Sequence, residues 1–139
     1  MNAVVIPDPR EICVRHAPLV PGIPREVILD FNATWCESYF RLSGDANHDI
    51  HSRDGAGIVQ GTGILTLIGT AVSEHMLGYV LGGFDKVRYR NPVKIGNQVR
   101  MTMVRLGCKD RAPLVEVDLE LMSGLRAAKA TVLLVRKPT

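Results

Sequence analysis

Residues 43–54, SGDANHDIHSRD, bring together side chains whose types could do chemistry. The twelve positions hold three carboxylates, two imidazoles and one amide, with a single large apolar residue. A carboxylate and an imidazole can share general-acid and general-base roles near neutral pH. His48 and His51 lack an evident third metal ligand, so no metal site is predicted. Asp45 and Asn47 are also typical of an Asx-type turn after a helix, which leaves a solvated loop as the alternative.

Two helices are predicted to flank this loop. Thr34-x-x-Glu37 has the spacing of a capping box, and the helix that it opens is expected to end at Gly44, directly before the loop. A second helix is predicted over residues 62–77, where apolar residues recur at helical spacing and Gly78 supplies the stop. This second helix is unusually apolar for its length, so we expect a sheet to cover it.

A sheet is predicted around the second helix. The segment from Glu26 has the composition of a short strand, and four later segments alternate apolar and polar residues. These four segments cover residues 80–90, 98–107, 114–122 and 126–135, with a tight hairpin at Ser123-Gly124. The predicted fold class is α+β, with a long central helix wrapped by a curved antiparallel sheet over residues 27–139. Five prolines predict an extended N-terminal arm over residues 1–26.

Composition excludes several classes of protein. The chain has 139 residues, 46% of them apolar and 22% charged, which is typical of one globular domain. A formal charge of +3 without a basic run does not predict a nucleic-acid partner. Three widely spaced cysteines predict neither a disulfide framework nor a thiolate metal site. With no signal peptide and no apolar stretch of membrane-spanning length, we expect a cytoplasmic protein that does not insert into membranes. No resident cofactor is predicted.

Three segments carry a resemblance to a known family. YFRLSGDANHDIH, GIVQGTGILTLIG and VRYRNPVKIGNQVRMTMVRL resemble the MaoC-like group, which includes the R-specific enoyl-CoA hydratases of the hotdog-fold superfamily. The resemblance covers residues 39–106, and its most specific element is the LSGDxN motif of residues 42–47. It implies a single hotdog domain that forms a homodimer. It also implies an acyl-thioester substrate carried on coenzyme A or on an acyl carrier protein.

The resemblance implies an acid/base pair in the polar loop. Asp45 matches the aspartate that, together with a histidine, holds a water molecule in the hydratases. Counting from Asn47, the family histidine falls on Ile50, and His51 takes that role if the loop contains one extra residue. Asp45 and His51 are therefore the predicted catalytic side chains, with Ile50 as the alternative occupant of the histidine position.

The resemblance also implies a site at the start of the second helix. Unpaired N–H groups and the positive end of the helix dipole can stabilise charge that develops on a thioester oxygen. Gly61 is the amide donor carried over from the family pattern. Gln60 stands where the family has histidine, and Gln60, Thr62 and Gly63 are predicted to contact the substrate, as is Asn47. The alternative for the glycines is close packing between the helix and the sheet.

Three cations alternate along one predicted strand. Lys86, Arg88 and Arg90 are separated by single residues, so alternation predicts that they share one face of the strand. Lys86 and Arg88 are therefore candidates for binding the phosphates of coenzyme A or an acidic carrier protein. The alternative is a solvated face of the sheet.

The predicted function is an enzyme, a hydratase or dehydratase that acts on an enoyl or 3-hydroxyacyl thioester. Two alternatives stay open. The segment before GIVQG is shorter than in the hydratases, which favours a hotdog acyl thioesterase in which Asp45 activates water. If Ile50 occupies the histidine position, a protein that binds an acyl ligand without catalysis is favoured.

Overall fold

The predicted helices and strands all form, together with one additional strand and one additional short helix. A computed structural model of the protein describes residues 3–5, 18–45, 47–52, 55–106 and 113–138. The strands are β1 Ala3–Val5, β2 Arg25–Asp30, β3 Tyr79–Tyr89, β4 Gln98–Arg105, β5 Leu114–Leu121 and β6 Arg126–Arg136. The helices are α1 Ala33–Ser43, α2 His48–His51 and α3 Gly61–Glu74. Within these described ranges, no helix is long and apolar enough to cross a membrane.

The strands form one sheet, and β3 lies at one edge of it. The order is β1-β2-β4-β5-β6-β3; β1 pairs in parallel with β2, and the other neighbours are antiparallel. One row of paired residues crosses the sheet through Val27, Met101, Leu119, Ala128 and Tyr89. The first four belong to the buried core. Because residues opposite each other point to the same side, Tyr89 also faces the helical side of the sheet.

The central helix α3 is buried against this sheet, as its apolar sequence predicts. Its buried residues are Gly63, Ile64, Leu67, Ile68, Gly69, Ala71 and Val72. Fully burying an aliphatic side chain is worth about 1.5–3 kcal/mol, so this face anchors the helix. The helix ends earlier than predicted, because the His75 N–H turns to the carbonyls of Val72 and Ser73. Gly78 follows in the turn that leads to β3, with φ of 93°.

The start of α1 differs from the prediction. The N-cap is Asn32 and not Thr34, because the Trp35 N–H donates to Asn32 Oδ1 at 2.8 Å. Thr34 therefore lies inside the first turn, and the predicted capping box is wrong. The predicted end is confirmed, since Gly44 caps the helix with φ of 70°, a left-handed conformation that favours glycine.

Strand β3 is irregular, which overturns one prediction. Its register against β6 shifts between Asp85 and Arg88, so an extra residue bulges out of the ladder. Lys86 lies in the bulge with φ of 51°, and its N–H donates to Asp85 Oδ1 at 2.9 Å. The bulge breaks the alternation, so the expectation that Lys86, Arg88 and Arg90 line one regular strand face is wrong.

Most of the proline-rich arm predicted over residues 1–26 lies outside the described residues. The last part of it packs against the core, where Leu19 is buried and its N–H donates to the His75 carbonyl at 3.1 Å. The Gly22 N–H donates to the Arg105 carbonyl at 2.8 Å. This segment therefore covers the end of the domain where α3 stops, and the assignment of a separate arm stays a prediction.

Candidate active site

Three concave regions meet at the first turn of α3. An open groove of about 1010 Å³, here the long groove, runs along α3 from Thr62 and past the end of the helix to Leu77, and β3 walls it. A second space of about 290 Å³, the side cavity, opens at Gly61 and is bounded by residues 89–93. A third space of about 10 Å³, the histidine recess, lies beside Gln60. The consecutive residues Gln60, Gly61 and Thr62 therefore line three different spaces.

His51 lies in the histidine recess. Its Nδ1 is 2.9 Å from the Ile58 carbonyl oxygen. A carbonyl can only accept a hydrogen bond, so Nδ1 carries a proton, and Nε2 is the ring nitrogen left for a further partner. The other residues around the recess are Trp35, Cys36, Tyr39, Val59, Gln60 and Ile95. This hydrogen bond leaves Nε2 as the nitrogen through which His51 could exchange a proton.

The short helix α2 decides which residue of the polar loop reaches the recess. Ile50 is 40% exposed and is not among the residues that line the three spaces, whereas its neighbour His51 lines the recess. Successive residues of a helix point about 100° apart, so only one of the two can face inward. The structure favours His51 over Ile50 as the side chain near Gln60.

Asp45 and Asn47 form a local turn at the end of α1. The Asn47 N–H donates to Asp45 Oδ1 at 2.8 Å, which is the Asx-type turn that the sequence offered as an alternative. Asn47 is exposed, whereas Asp45 is half-buried. Neither is among the residues that line the three spaces. Asp45 therefore contacts Asn47, whereas His51 lies beside Gln60.

Gln60 ties the end of α1 to the start of α3. Its Nε2 donates to Ser43 Oγ at 2.9 Å, and Ser43 Oγ donates to the Phe40 carbonyl at 2.9 Å. Gln60 is the N-cap residue of α3, but its side chain makes no capping bond to its own helix. The amide group predicted to contact substrate therefore also fixes the spacing between the polar loop and α3.

The backbone of the first turn of α3 can stabilise negative charge. The Ile64 N–H makes the first helical bond, to the Gln60 carbonyl at 3.0 Å. The N–H groups of Gly61, Thr62 and Gly63 precede that bond, at the positive end of the helix dipole. A substrate oxygen placed between the long groove and the side cavity would meet these amides.

Tyr89 is a site residue that the sequence analysis missed. Its hydroxyl donates to the Gly61 carbonyl at 2.8 Å, and a Cβ on Gly61 would lie 3.0 Å from the Tyr89 Cζ and hydroxyl oxygen. Tyr89 is 49% exposed, and its partial burial, followed by the nearby Tyr39, raises its pKa above its usual range. The sequence held one signal for this position. Tyr89 lies between Arg88 and Arg90, so alternation points its side chain to the opposite side of the strand from these two cations.

Cys36 lies beside His51 as a buried thiol whose surroundings disfavour the thiolate. It is buried, and its thiol lies 3.5 Å from the Phe31 carbonyl as a donor. Burial, followed by the charges of Asp30 and Glu37, raises the pKa of Cys36 to about 12. The reactive form of cysteine is the thiolate, so the raised pKa disfavours a Cys-His pair near neutral pH.

The remaining predicted residues fall on two surfaces. Thr62 lines the long groove, and a Cβ on Gly63 would contact the Tyr39 ring at 3.4 Å. Lys86 and Arg88 are exposed on the edge strand and line none of the three spaces. Among the described residues, no group of three or more His, Cys, Asp or Glu side chains could hold a metal ion.

Comparison with known proteins identifies the fold. No protein-family model and no curated protein sequence matches the chain. Among solved structures, protein af1124 from Archaeoglobus fulgidus is 23% identical with a TM-score of 0.74, over 88% of this chain and 81% of that one. The (R)-hydratase from A. caviae, involved in PHA biosynthesis, is 16% identical with a TM-score of 0.71, over 86% of this chain and 98% of that one.

A structure named as a thioesterase is also similar. A hypothetical thioesterase from Streptococcus pneumoniae TIGR4, in a structure with coenzyme A, is 17% identical with a TM-score of 0.53. The alignment covers 60% of this chain and 68% of that one. At these identities the likenesses show the fold, and they confirm the predicted hotdog domain with its central helix and antiparallel sheet.

Proposed function

We propose that this protein is a MaoC-like hydratase or dehydratase of an enoyl or 3-hydroxyacyl thioester, carried on coenzyme A or on an acyl carrier protein. The observation that carries the proposal is the placement of His51, with Nε2 available, in a recess beside Gln60 at the start of α3. The neighbouring N–H groups of Gly61 and Thr62 supply donors for the thioester oxygen. The hotdog fold shared with an (R)-hydratase supports the same assignment.

The proposed chemistry combines these positions with the acid/base pair that the family resemblance implies. The thioester oxygen accepts hydrogen bonds at the first turn of α3, which stabilises the enolate that forms during the reaction. His51 and Asp45 act as the acid/base pair. One removes a proton from water as the water oxygen bonds to C3, and the other donates a proton to C2. The reverse sequence expels water from a 3-hydroxyacyl thioester. The acyl chain extends along the long groove, and the carrier arm leaves through the side cavity.

A homodimer would complete this site. The long groove is open along α3, and Leu77 and Leu81 are 60% and 42% exposed beside it. Thr66 and Thr70 donate their hydroxyls to carbonyls of their own helix at 2.9 Å, which leaves their methyl groups for contact with a neighbour. Edge strand β3 borders the same surface. A second copy placed there would cover the groove and exclude water from the acyl chain.

Hydrolysis of an acyl thioester is the second candidate. The likeness to a hypothetical thioesterase whose structure contains coenzyme A favours it. Because burial keeps Cys36 protonated, hydrolysis would use water activated by Asp45 rather than a thiolate. Binding of an acyl ligand without turnover is the remaining alternative, and the Asx turn of Asp45 is compatible with it.

One experiment separates hydration, hydrolysis and binding without turnover. The purified protein is assayed with enoyl and 3-hydroxyacyl thioesters, with the conjugated double bond and the free thiol followed separately. Asp45→Asn and His51→Gln are expected to lower hydration by about 10²–10⁴-fold, the typical contribution of positioned proton transfer. His48→Gln is the matched control, because His48 is exposed and does not line the recess. Its ring centroid lies 5.0 Å from that of Phe40.

The outcomes are distinct. Hydration that survives both Asp45→Asn and His51→Gln would contradict the acid/base assignment. Release of thiol with the double bond intact would identify a thioesterase. Binding without either signal would identify a binding protein.

A further inference from the structure

Tyr89 connects the edge strand to the first turn of the central helix. Gly61 and Tyr89 are 28 residues apart in sequence, and the hydroxyl donates to the Gly61 carbonyl at 2.8 Å. The ring covers Gly61 so closely that a Cβ there would meet three Tyr89 atoms at 3.0–3.2 Å. Tyr89 also lines the side cavity together with Gly61. The contact therefore lies where the thioester is proposed to bind.

The bonded carbonyl belongs to the same peptide group as the Thr62 N–H. A donor on the oxygen of a peptide group fixes the orientation of that group and polarises its N–H. The Thr62 N–H precedes the first helical bond, and Thr62 lines the long groove. The Tyr89 hydroxyl therefore orients and polarises the Thr62 N–H without contacting it.

Tyr89 is suited to donate throughout the ordinary pH range. Burial, followed by the nearby Tyr39, raises the pKa of Tyr89 above its usual value, so the phenol stays protonated. A carbonyl oxygen offers no proton in return, so the direction of the hydrogen bond is fixed.

We propose that Tyr89 is a positioning residue for the thioester oxygen, because its hydrogen bond to the Gly61 carbonyl holds and polarises the 61–62 peptide at the start of α3. This rests on the proposed function only in placing the thioester oxygen at that turn. Tyr89 itself makes no bond to the reacting atoms. Its effect should appear in kcat rather than in KM, because a polarised amide favours the enolate over the ground-state thioester.

The test compares Tyr89→Phe with Tyr79→Phe. Both changes remove one hydroxyl from strand β3, but the Tyr79 ring lies 5.8 Å from the Arg105 guanidinium carbon, at the other end of the strand. Turnover is measured together with the infrared carbonyl stretch of a bound, non-reacting saturated acyl-CoA. A hydrogen bond made more strongly in the transition state is typically worth about 5-fold in rate.

The expected result is a fall of about 5-fold in kcat for Tyr89→Phe with unchanged KM. The carbonyl stretch should also move to higher frequency, and Tyr79→Phe should change neither quantity. An unchanged stretch and kcat in Tyr89→Phe would overturn the proposal while leaving the proposed function intact. A lower melting temperature with an unchanged stretch would show a structural role only and would overturn it as well.

A different result would contradict the proposed function. If the wild-type protein binds the acyl-CoA and shows the Tyr89-dependent stretch but does not hydrate enoyl thioesters, the positioning role stands and hydration is wrong. If it binds neither an acyl-CoA nor an acyl thioester on an acyl carrier protein, both are wrong.

Discussion

Replacing Gly61 with alanine should separate stability from activity at the start of α3. The new Cβ would lie 3.0 Å from the Tyr89 Cζ and hydroxyl oxygen and 3.2 Å from Cε2. Real Cβ atoms rarely approach other atoms this closely, so the Tyr89 ring must move by several tenths of an ångström. That movement breaks or lengthens the 2.8 Å hydrogen bond to the Gly61 carbonyl.

The free-energy terms nearly cancel for stability. Losing one neutral hydrogen bond costs about 1 kcal/mol. Alanine in a helix gains up to about 1 kcal/mol over glycine, and somewhat less in the first turn. The free energy of unfolding of Gly61→Ala should therefore stay within about 1 kcal/mol of the wild type. The value of kcat should fall by about 5-fold, because the 61–62 peptide loses the donor that orients it.

Urea denaturation and steady-state kinetics on the same preparations measure both quantities. Gly63→Ala is the control for stability, since its Cβ would meet the Tyr39 ring at an ordinary 3.4 Å and should raise the free energy of unfolding. The Gly61→Ala/Tyr89→Phe double variant tests the cause, because removing the hydroxyl first should make the alanine nearly silent in kcat. Additive losses in the double variant would refute the reasoning.

Three further predictions concern stability. Asn32→Ala should lower the free energy of unfolding by about 1 kcal/mol, and Thr34→Ala by less than about 0.5 kcal/mol. Equal losses for the two variants in urea denaturation would contradict the observed cap. The pKa of Cys36 rises from 9.0 to about 12 on folding, so the unfolded chain loses this proton first and stability falls as the pH rises above 9.0. Cys36→Ala should make that fall shallower, and a parallel profile would show that Cys36 does not contribute. Lys86→Gly should raise the free energy of unfolding by about 0.5–1 kcal/mol by relieving its left-handed backbone, whereas Lys86→Ala should not.

The sequence determined the elements whose signals are local. The end of α1 at Gly44 and the hairpin before β6 follow from glycine in a left-handed conformation, with φ of 70° and 97°. The alternation in β5 and the apolar face of α3 likewise follow from local periodicity, because burial on one side repeats every two or 3.6 residues. The family-like motif then predicted how these elements assemble.

The cap of α1 depended on tertiary contacts. Asn32 and Thr34 are both residue types that cap helices. The Phe31 N–H donates to the Asn97 carbonyl and the Phe31 carbonyl accepts from Gly96, which keeps the chain extended up to Asn32. These partners lie more than 60 positions away, so a sequence window around the helix cannot reveal them.

The candidate site depended on tertiary structure in the same way. Which of Ile50 and His51 faces the recess is a difference of one residue that α2 sets. The Ile50 carbonyl accepts from the Ile58 N–H, and the His51 ring bonds to the Ile58 carbonyl. The contact between Tyr89 and Gly61 exists because the sheet folds edge strand β3 back over α3. Local sequence determines which residues can form helices and strands, whereas the pairing of distant segments determines which side chains meet.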